Sequence, residues 1–163
     1  MANPDLSRGE LDLLRQAIAL GRQGMEAGSG GPFGAVIAST RGIEAVGFNR
    51  VLQDLDPTAH AEIVAIRVAC AARGGPWLTG ATLYASCEPC PMCLAAIYWA
   101  RIDRVVYAAG REDAAAIGFD DATFYEDLEN PSARRRHFLR QSLREEARAM
   151  MEAWKARGPE AAY

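Results

Sequence analysis

The 163-residue chain has no long apolar run, although half of its residues are hydrophobic. A helix that spans a bilayer needs roughly 20 consecutive apolar residues, so the sequence predicts no membrane span. Residues 1–10 are polar and lack the pattern of a signal peptide. No repeat or low-complexity linker divides the chain. We therefore expect a single domain over residues 1–163 and a cytoplasmic location.

Cysteine and histidine are scarce, with four and two residues respectively. A chain of this size does not need a disulfide framework to hold its core. Cys87, Cys90 and Cys93 fall within seven residues, which favours metal binding in a reducing compartment. Cys70 lies in an alanine-rich segment and is predicted to be a core residue. His137 lies in a basic run and is predicted to be on the surface.

The net charge of −3 is unevenly distributed. Residues 134–157 contain eight basic and three acidic side chains, a net charge of +5 against −8 for the rest of the chain. A basic segment of this kind can bind nucleic acid. The interleaved glutamates instead favour a solvated helix face, and the acidic remainder argues against nucleic acid as a partner.

Strand-like and helix-like segments alternate along the chain, which predicts an α/β domain. Ser7 and Glu10 form a capping box that opens the first helix. The segments with strand patterns are 33–39, 43–48, 81–86 and 104–108, and helices are predicted over 59–72 and 91–100. Residues 137–143 fit either a helical stripe or a short edge strand before a helix over 144–157.

Two short motifs carry the chemistry. The first is His60-Ala61-Glu62, and the second is PCPMC at 89–93, which contains Cys90 and Cys93. One imidazole and two thiolates supply three ligands to a zinc ion. The fourth tetrahedral position is then open, as in catalytic rather than structural zinc sites. Glu62 is a carboxylate able to carry protons from an activated water. Cys87 would close the site as a fourth ligand, so we predict that it is a buried thiol at the end of a strand.

The spacing of these motifs places them at helix starts. In a regular helix, His60 and Glu62 would point about 200° apart, so their convergence requires an irregular helix start. Prolines on both sides of Cys90 predict that Cys90 and Cys93 open a helix. Their sulfurs then converge across its first turn. A Cys-x-x-Cys pair alone would also fit a redox pair or a structural zinc site.

The combined pattern is the signature of zinc deaminases that act on nucleobases. The chain also resembles the bacterial guanine deaminases of the cytidine-deaminase-like superfamily, from its first helix to its last residue. Three stretches carry this resemblance: DPTAHAE at 56–62, LYASCEPCPMCLAAIYWAR at 83–101 and GFDD at 118–121.

The resemblance implies a three-layer α/β/α fold with a central five-stranded mixed sheet. It places the fifth strand at 137–143, before a last helix and tail over 144–163. It also implies a homodimer in which the C-terminal segment can cross over and cover the partner's active site. Whether the tail covers its own site or the partner's stays open.

The resemblance also implies the residues that bind the base. Phe33 and Trp99 would flank the purine ring, and Asn49 and the backbone of Ala61 would form hydrogen bonds with its edge. Tyr163 would close the pocket. Asp121 would help to move protons near the amine. Four of these residues have a structural alternative: the rings of Phe33 and Trp99 as core residues, Asn49 as a turn residue and Asp121 as a helix cap.

The function expected from these observations is zinc-dependent hydrolysis of guanine to xanthine and ammonia. Guanosine is the nearest alternative substrate, and cytosine or an aminotriazine is a further one. A tRNA adenosine deaminase, which acts on a flipped base, is a second alternative. A third is a zinc-stabilised interaction module without catalytic activity, although Glu62, which is not needed as a ligand, argues against it.

Overall fold

The computed structural model describes residues 6–130 and 138–158. The chain divides into two compact units, residues 1–121 and 122–163. The first unit contains α1 (Arg8–Glu26), β1 (Gly34–Ser39), β2 (Gly42–Phe48), α2 (Val51–Asp54), α3 (Ala61–Arg73), β3 (Thr82–Cys87), α4 (Pro91–Trp99), β4 (Arg104–Ala109) and α5 (Arg111–Ala116). The second unit contains α6 (Ala122–Glu129) and α7 (Arg144–Lys155).

The four strands form one mixed sheet in the order β2-β1-β3-β4. Strand β1 pairs antiparallel with both β2 and β3, whereas β3 and β4 are parallel. The predicted strands agree with the observed ones to within a residue at each end. The sequence therefore located all four strands, although β1 is buried along almost its whole length and does not alternate between buried and exposed residues.

Helices cover both faces of the sheet, because successive strand residues point to opposite sides. Ala35 and Ile37 of β1 pack in one buried cluster with small residues of α3 and with Ile97 of α4. Val36, between them, packs in a second cluster with Ala17 of α1. Burying a side chain of the size of Ile37 contributes about 1.5–3 kcal/mol. The first unit is therefore a three-layer α/β/α arrangement.

Helix α1 begins as the sequence predicts. The Ser7 hydroxyl accepts from the Glu10 N–H at 3.3 Å, and the Glu10 carboxylate accepts from the Ser7 N–H at 2.8 Å. The helix then lies unusually close to β1. A Cβ on Gly34 would stand 2.1 Å from the Ala17 carbonyl oxygen, so only glycine permits this approach.

An ion pair ties the last turn of α3 to β2. The Nε and Nη2 atoms of Arg73 each donate to a Glu44 carboxylate oxygen at 2.7 Å. The same hydrogen bonds hold the pKa of Glu44 at about 2. The paired geometry and low exposure make this contact stronger than a typical surface ion pair.

The prediction of a five-stranded sheet is wrong for the described part of the chain. Residues 138–143, most of the predicted fifth strand, contain no strand, and position 137 lies outside the described residues. Leu143 adopts a left-handed conformation (φ 54°, ψ 33°) and caps α7. That conformation ends any extended run just before the helix. Four strands form the sheet in the ranges that the structure describes.

Helix α7 has a marked apolar stripe. The stripe consists of four side chains that follow helical spacing and are exposed within this chain: Leu143, Met150, Met151 and Trp154.

Among the helices of the described ranges, none combines the length and apolar character required to cross a membrane.

Candidate active site

His60 is the N-cap of α3, with extended backbone angles (φ −68°, ψ 157°). Glu62 is already in the first turn of the helix. The change of conformation between the two residues removes the 200° separation that a regular helix would impose. The prediction that one of them lies at an irregular helix start is confirmed.

Cys90 occupies the equivalent position on α4, as its N-cap, with Pro91 as the first helical residue. Proline is tolerated there because its missing N–H would have no partner within the helix. Cys93 follows in the first turn and is fully buried. The starts of α3 and α4 thus converge, and the positive N-terminal end of each helix dipole favours a thiolate.

The three predicted ligands lie together. The Nδ1 atom of His60 is 3.6 Å from the Sγ of Cys90 and 3.5 Å from the Sγ of Cys93. All three donor atoms lie within 4.8 Å of one another. A zinc ion about 2.3 Å from sulfur and about 2.0 Å from nitrogen, with tetrahedral angles, separates those atoms by about 3.5 Å. The donor set fits zinc in both chemistry and spacing.

The protonation of the thiols also suits a metal. Cys93 donates a hydrogen bond to Cys90, which lowers the pKa of Cys90 to about 4 and raises the pKa of Cys93. The hydrogen bond to Cys90 in turn raises the pKa of His60. Zinc binds cysteine as the thiolate, so metal binding would release the proton of Cys93.

Glu62 lies beside the three ligands without being one of them. Its side chain is 7% exposed. Burial raises the pKa of Glu62, and the thiolate charge of Cys90 raises it further. A carboxyl group in this environment takes up a proton more readily than one in water, which is the property required of a group that accepts and returns protons.

The two other cysteines lie apart from the ligand set. Cys87 ends β3, and its thiol donates to the Gly110 carbonyl at 3.6 Å. Burial raises the pKa of Cys87 to about 11, so it stays protonated. Cys70 packs against the core cluster beneath α3, as predicted. In the described residues, the ligand cluster consists of three side chains.

Asn49 is 4% exposed and follows β2. Its Oδ1 accepts from the N–H groups of Gly31 and Val51, at 3.3 and 3.2 Å. The next residue, Arg50, donates its N–H to the Ala59 carbonyl, directly before His60. Because the oxygen is engaged by two backbone donors, the side chain can offer a bound base only its NH2 group as a donor.

The aromatic residues proposed for the site differ in exposure. Phe33 contacts Phe119, which belongs to the GFDD stretch but was not predicted to be a site residue. Trp99 ends α4 and is 70% exposed. Ala61 is fully buried at the start of α3. Tyr163 lies outside the described residues.

Asp121 is the last residue of the GFDD stretch and is partly buried. Burial raises its pKa, and the charge of Cys90 contributes in the same direction. The carboxyl group of Asp121 is therefore within electrostatic reach of the ligand cluster. This is compatible with the proton-transfer role implied by the resemblance, and the alternative role as a helix cap stays open.

Comparison with known proteins agrees with this description. The family model of the cytidine and deoxycytidylate deaminase zinc-binding region matches residues 8–109. The chain therefore belongs to this family of zinc-dependent deaminases with the cytidine-deaminase-like fold.

Within the family, the chain is 48% identical to guanine deaminase of Bacillus subtilis over 87% of its own length and 91% of that protein. A crystal structure of that enzyme superposes with a TM-score of 0.85 and covers 93% of this chain and 95% of the other. Guanine deaminase from Nitrosomonas europaea superposes with a TM-score of 0.66 at 32% identity, covering 74% and 70%. The tRNA-specific adenosine deaminase of Agrobacterium fabrum is 46% identical over 53% of this chain and 57% of that protein.

Proposed function

We propose that the protein is a guanine deaminase that converts guanine and water to xanthine and ammonia. The observation that carries the reaction type is a three-donor zinc site with a buried carboxyl group, Glu62, beside it. The similarity to a guanine deaminase over nearly the full length of both chains supports the substrate. The tRNA-specific adenosine deaminase of Agrobacterium fabrum matches about half of this chain, and that of Haemophilus influenzae matches 76% of it at 38% identity.

His60, Cys90 and Cys93 would hold the metal. A zinc ion held there would act as a Lewis acid and lower the pKa of a water molecule to about 7. Glu62 takes one proton from the attacking water as the water oxygen bonds to the carbon that carries the exocyclic amine. Glu62 delivers this proton to a ring nitrogen. It then takes the remaining proton from the new hydroxyl group and delivers it to the amine, which leaves as ammonia as its carbon–nitrogen bond breaks and the C=O bond forms.

The remaining site residues hold the base. Phe33 and Trp99 flank the ring, the NH2 group of Asn49 donates to an acceptor on its edge, and the backbone of Ala61 binds beside it. Asp121 assists proton transfer near the amine. Tyr163 is proposed to close the pocket of its own chain or of the partner, as the resemblance implies. The thiolate ligands require a reducing compartment, which supports a cytoplasmic location.

We further propose that the enzyme is a homodimer and that a second copy covers the exposed stripe of α7. Substituting Trp154→Lys places a charge on that stripe and is expected to yield monomers in light scattering. Glu152→Lys, on the opposite face of α7, is the matched control and is expected to stay dimeric. A monomeric wild-type protein would contradict the proposal.

The test of function is ammonia release by zinc-loaded protein from guanine, guanosine, adenine, cytosine and a tRNA anticodon stem-loop. Turnover of guanine well above the others is the expected result. Faster turnover of guanosine or of the RNA would retain the zinc chemistry and overturn the substrate. RNA binding that weakens steeply with salt would indicate phosphate contacts, which a free-base enzyme does not make.

A further inference from the structure

Phe33 and Phe119 form an edge-to-face aromatic pair across 86 positions of sequence. Their ring centroids are 5.0 Å apart and the ring planes meet at 87°. In this arrangement, the positive edge of one ring meets the negative face of the other. The terminal torsion of a phenylalanine is broad, so such a contact determines which way the ring plane faces.

The two rings meet over the bare backbone of Gly31. A Cβ on Gly31 would stand 2.8 Å from Cε2 of Phe33 and 2.9 Å from Cζ of Phe119. The N–H of Gly31 donates to Asn49. At one corner of the first unit, the rings of Phe33 and Phe119 therefore lie close to the amide of Asn49. Phe33 and Asn49 are the two residues of this group that are proposed to contact the base.

Phe119 is held by its backbone rather than by burial. The turn after α5 contains Gly118 with φ +97°, a conformation that favours glycine. The N–H groups of Gly118 and Phe119 donate to Ala115 and Ala114, each at 3.0 Å. The side chain of Phe119 is nevertheless 48% exposed. A half-exposed ring contributes little to the core, so its contact with Phe33 needs another reason.

We propose that Phe119 is a positioning residue that sets the ring plane of Phe33 for stacking on the base. This inference rests on the proposed function, in which Phe33 flanks the purine. Phe119 acts through Phe33 and does not itself take part in proton transfer. Its removal leaves the zinc ligands and Glu62 unaffected but allows the ring of Phe33 to turn away from the stacking orientation.

The test is a double-mutant cycle with guanine as substrate. Phe119→Ala is expected to raise KM by about two- to tenfold, the range of an aromatic pair, with kcat changed less than KM. In the Phe33→Ala background, the same substitution is expected to have no further effect. Phe119→Tyr retains the ring and should restore the wild-type KM. Ile117→Ala, an exposed apolar residue of the same turn, is the matched control.

A wild-type KM in Phe119→Ala would overturn the inference. So would a double variant in which the increases in KM of the two single substitutions multiply. Zinc content and melting temperature of each variant show that the comparison is between folded enzymes. Absence of guanine turnover by the wild type would refute the proposed function instead. The contact is then tested by NMR: Phe119→Ala must shift the ring-proton resonances of Phe33 more than Ile117→Ala does, and equal shifts would refute it.

Discussion

Replacing Glu62 with glutamine separates proton transfer from metal binding. Glutamine has the shape of glutamate but cannot accept and return a proton in the same way. Glu62 is not among the three donor side chains of the metal cluster, so its loss removes no ligand. It is buried with a raised pKa, so replacing it with a neutral group of equal size introduces no cavity and removes no favourable surface charge.

The expected loss of activity follows from the number of proton transfers. One positioned acid–base group supplies about 10²–10⁴-fold in rate. Glu62 is assigned the proton of the attacking water and those delivered to the ring and to the amine. We therefore expect kcat of Glu62→Gln to fall by about 10³-fold or more, which corresponds to about 4 kcal/mol of transition-state stabilisation. KM should change little, because no base-binding group is altered.

The assay measures ammonia release together with zinc by mass spectrometry and melting temperature. Glu26→Gln, a carboxylate on an exposed position of α1, is the control and is expected to match the wild type. One zinc per chain, an unchanged melting temperature and the loss of turnover would support the assigned role. Retention of more than a tenth of the wild-type kcat would refute it. Loss of zinc would show instead that Glu62 supports the ligands.

Three other predictions concern the metal, the base and stability. Cys87→Ser should retain zinc, whereas Cys93→Ser should lose it; equal zinc content in the two would contradict the three-ligand site. Gly30→Ala should lower kcat/KM for guanine by about tenfold, because the new Cβ would lie 2.0 Å from Oδ1 of Asn49 and must displace its amide. Unchanged kinetics would show that the amide does not bind the base. Glu44→Gln should destabilise the fold by about 1–2 kcal/mol at pH 7 in urea titrations. Because folding lowers the pKa of Glu44 from 4.5 to about 2, this stabilisation is complete above about pH 4.5 and is lost as the pH falls towards 2. A difference between variant and wild type that is undiminished at pH 2 would contradict it.

Local signals in the sequence predicted most of the fold. Ser7 and Glu10 mark the start of α1 through groups only three residues apart, and the structure contains both of their hydrogen bonds. The prolines around Cys90 and the glycines after α3 likewise act within one turn of the chain. Features of this kind depend on neighbouring residues, so they are visible without a tertiary structure.

The fifth strand shows where local signals fail. Phe138 and Leu139 have side chains that favour strands, and the superfamily resemblance supported one there. A strand also needs a partner for its backbone groups, and pairing is not encoded within seven residues. The exposed residues that follow, together with the left-handed Leu143, produce a helix cap instead.

The sequence by itself determined the chemistry of the zinc site, because His60, Glu62, Cys90 and Cys93 belong to two short motifs whose spacing a helix start can satisfy. It also determined the order of strands and helices through their periodicity. Only the tertiary structure brought the two motifs within 3.6 Å, engaged the oxygen of Asn49 with two backbone donors and set Phe119 against Phe33. These contacts join residues as much as 86 positions apart, and packing between elements decides them because no local period relates their side chains.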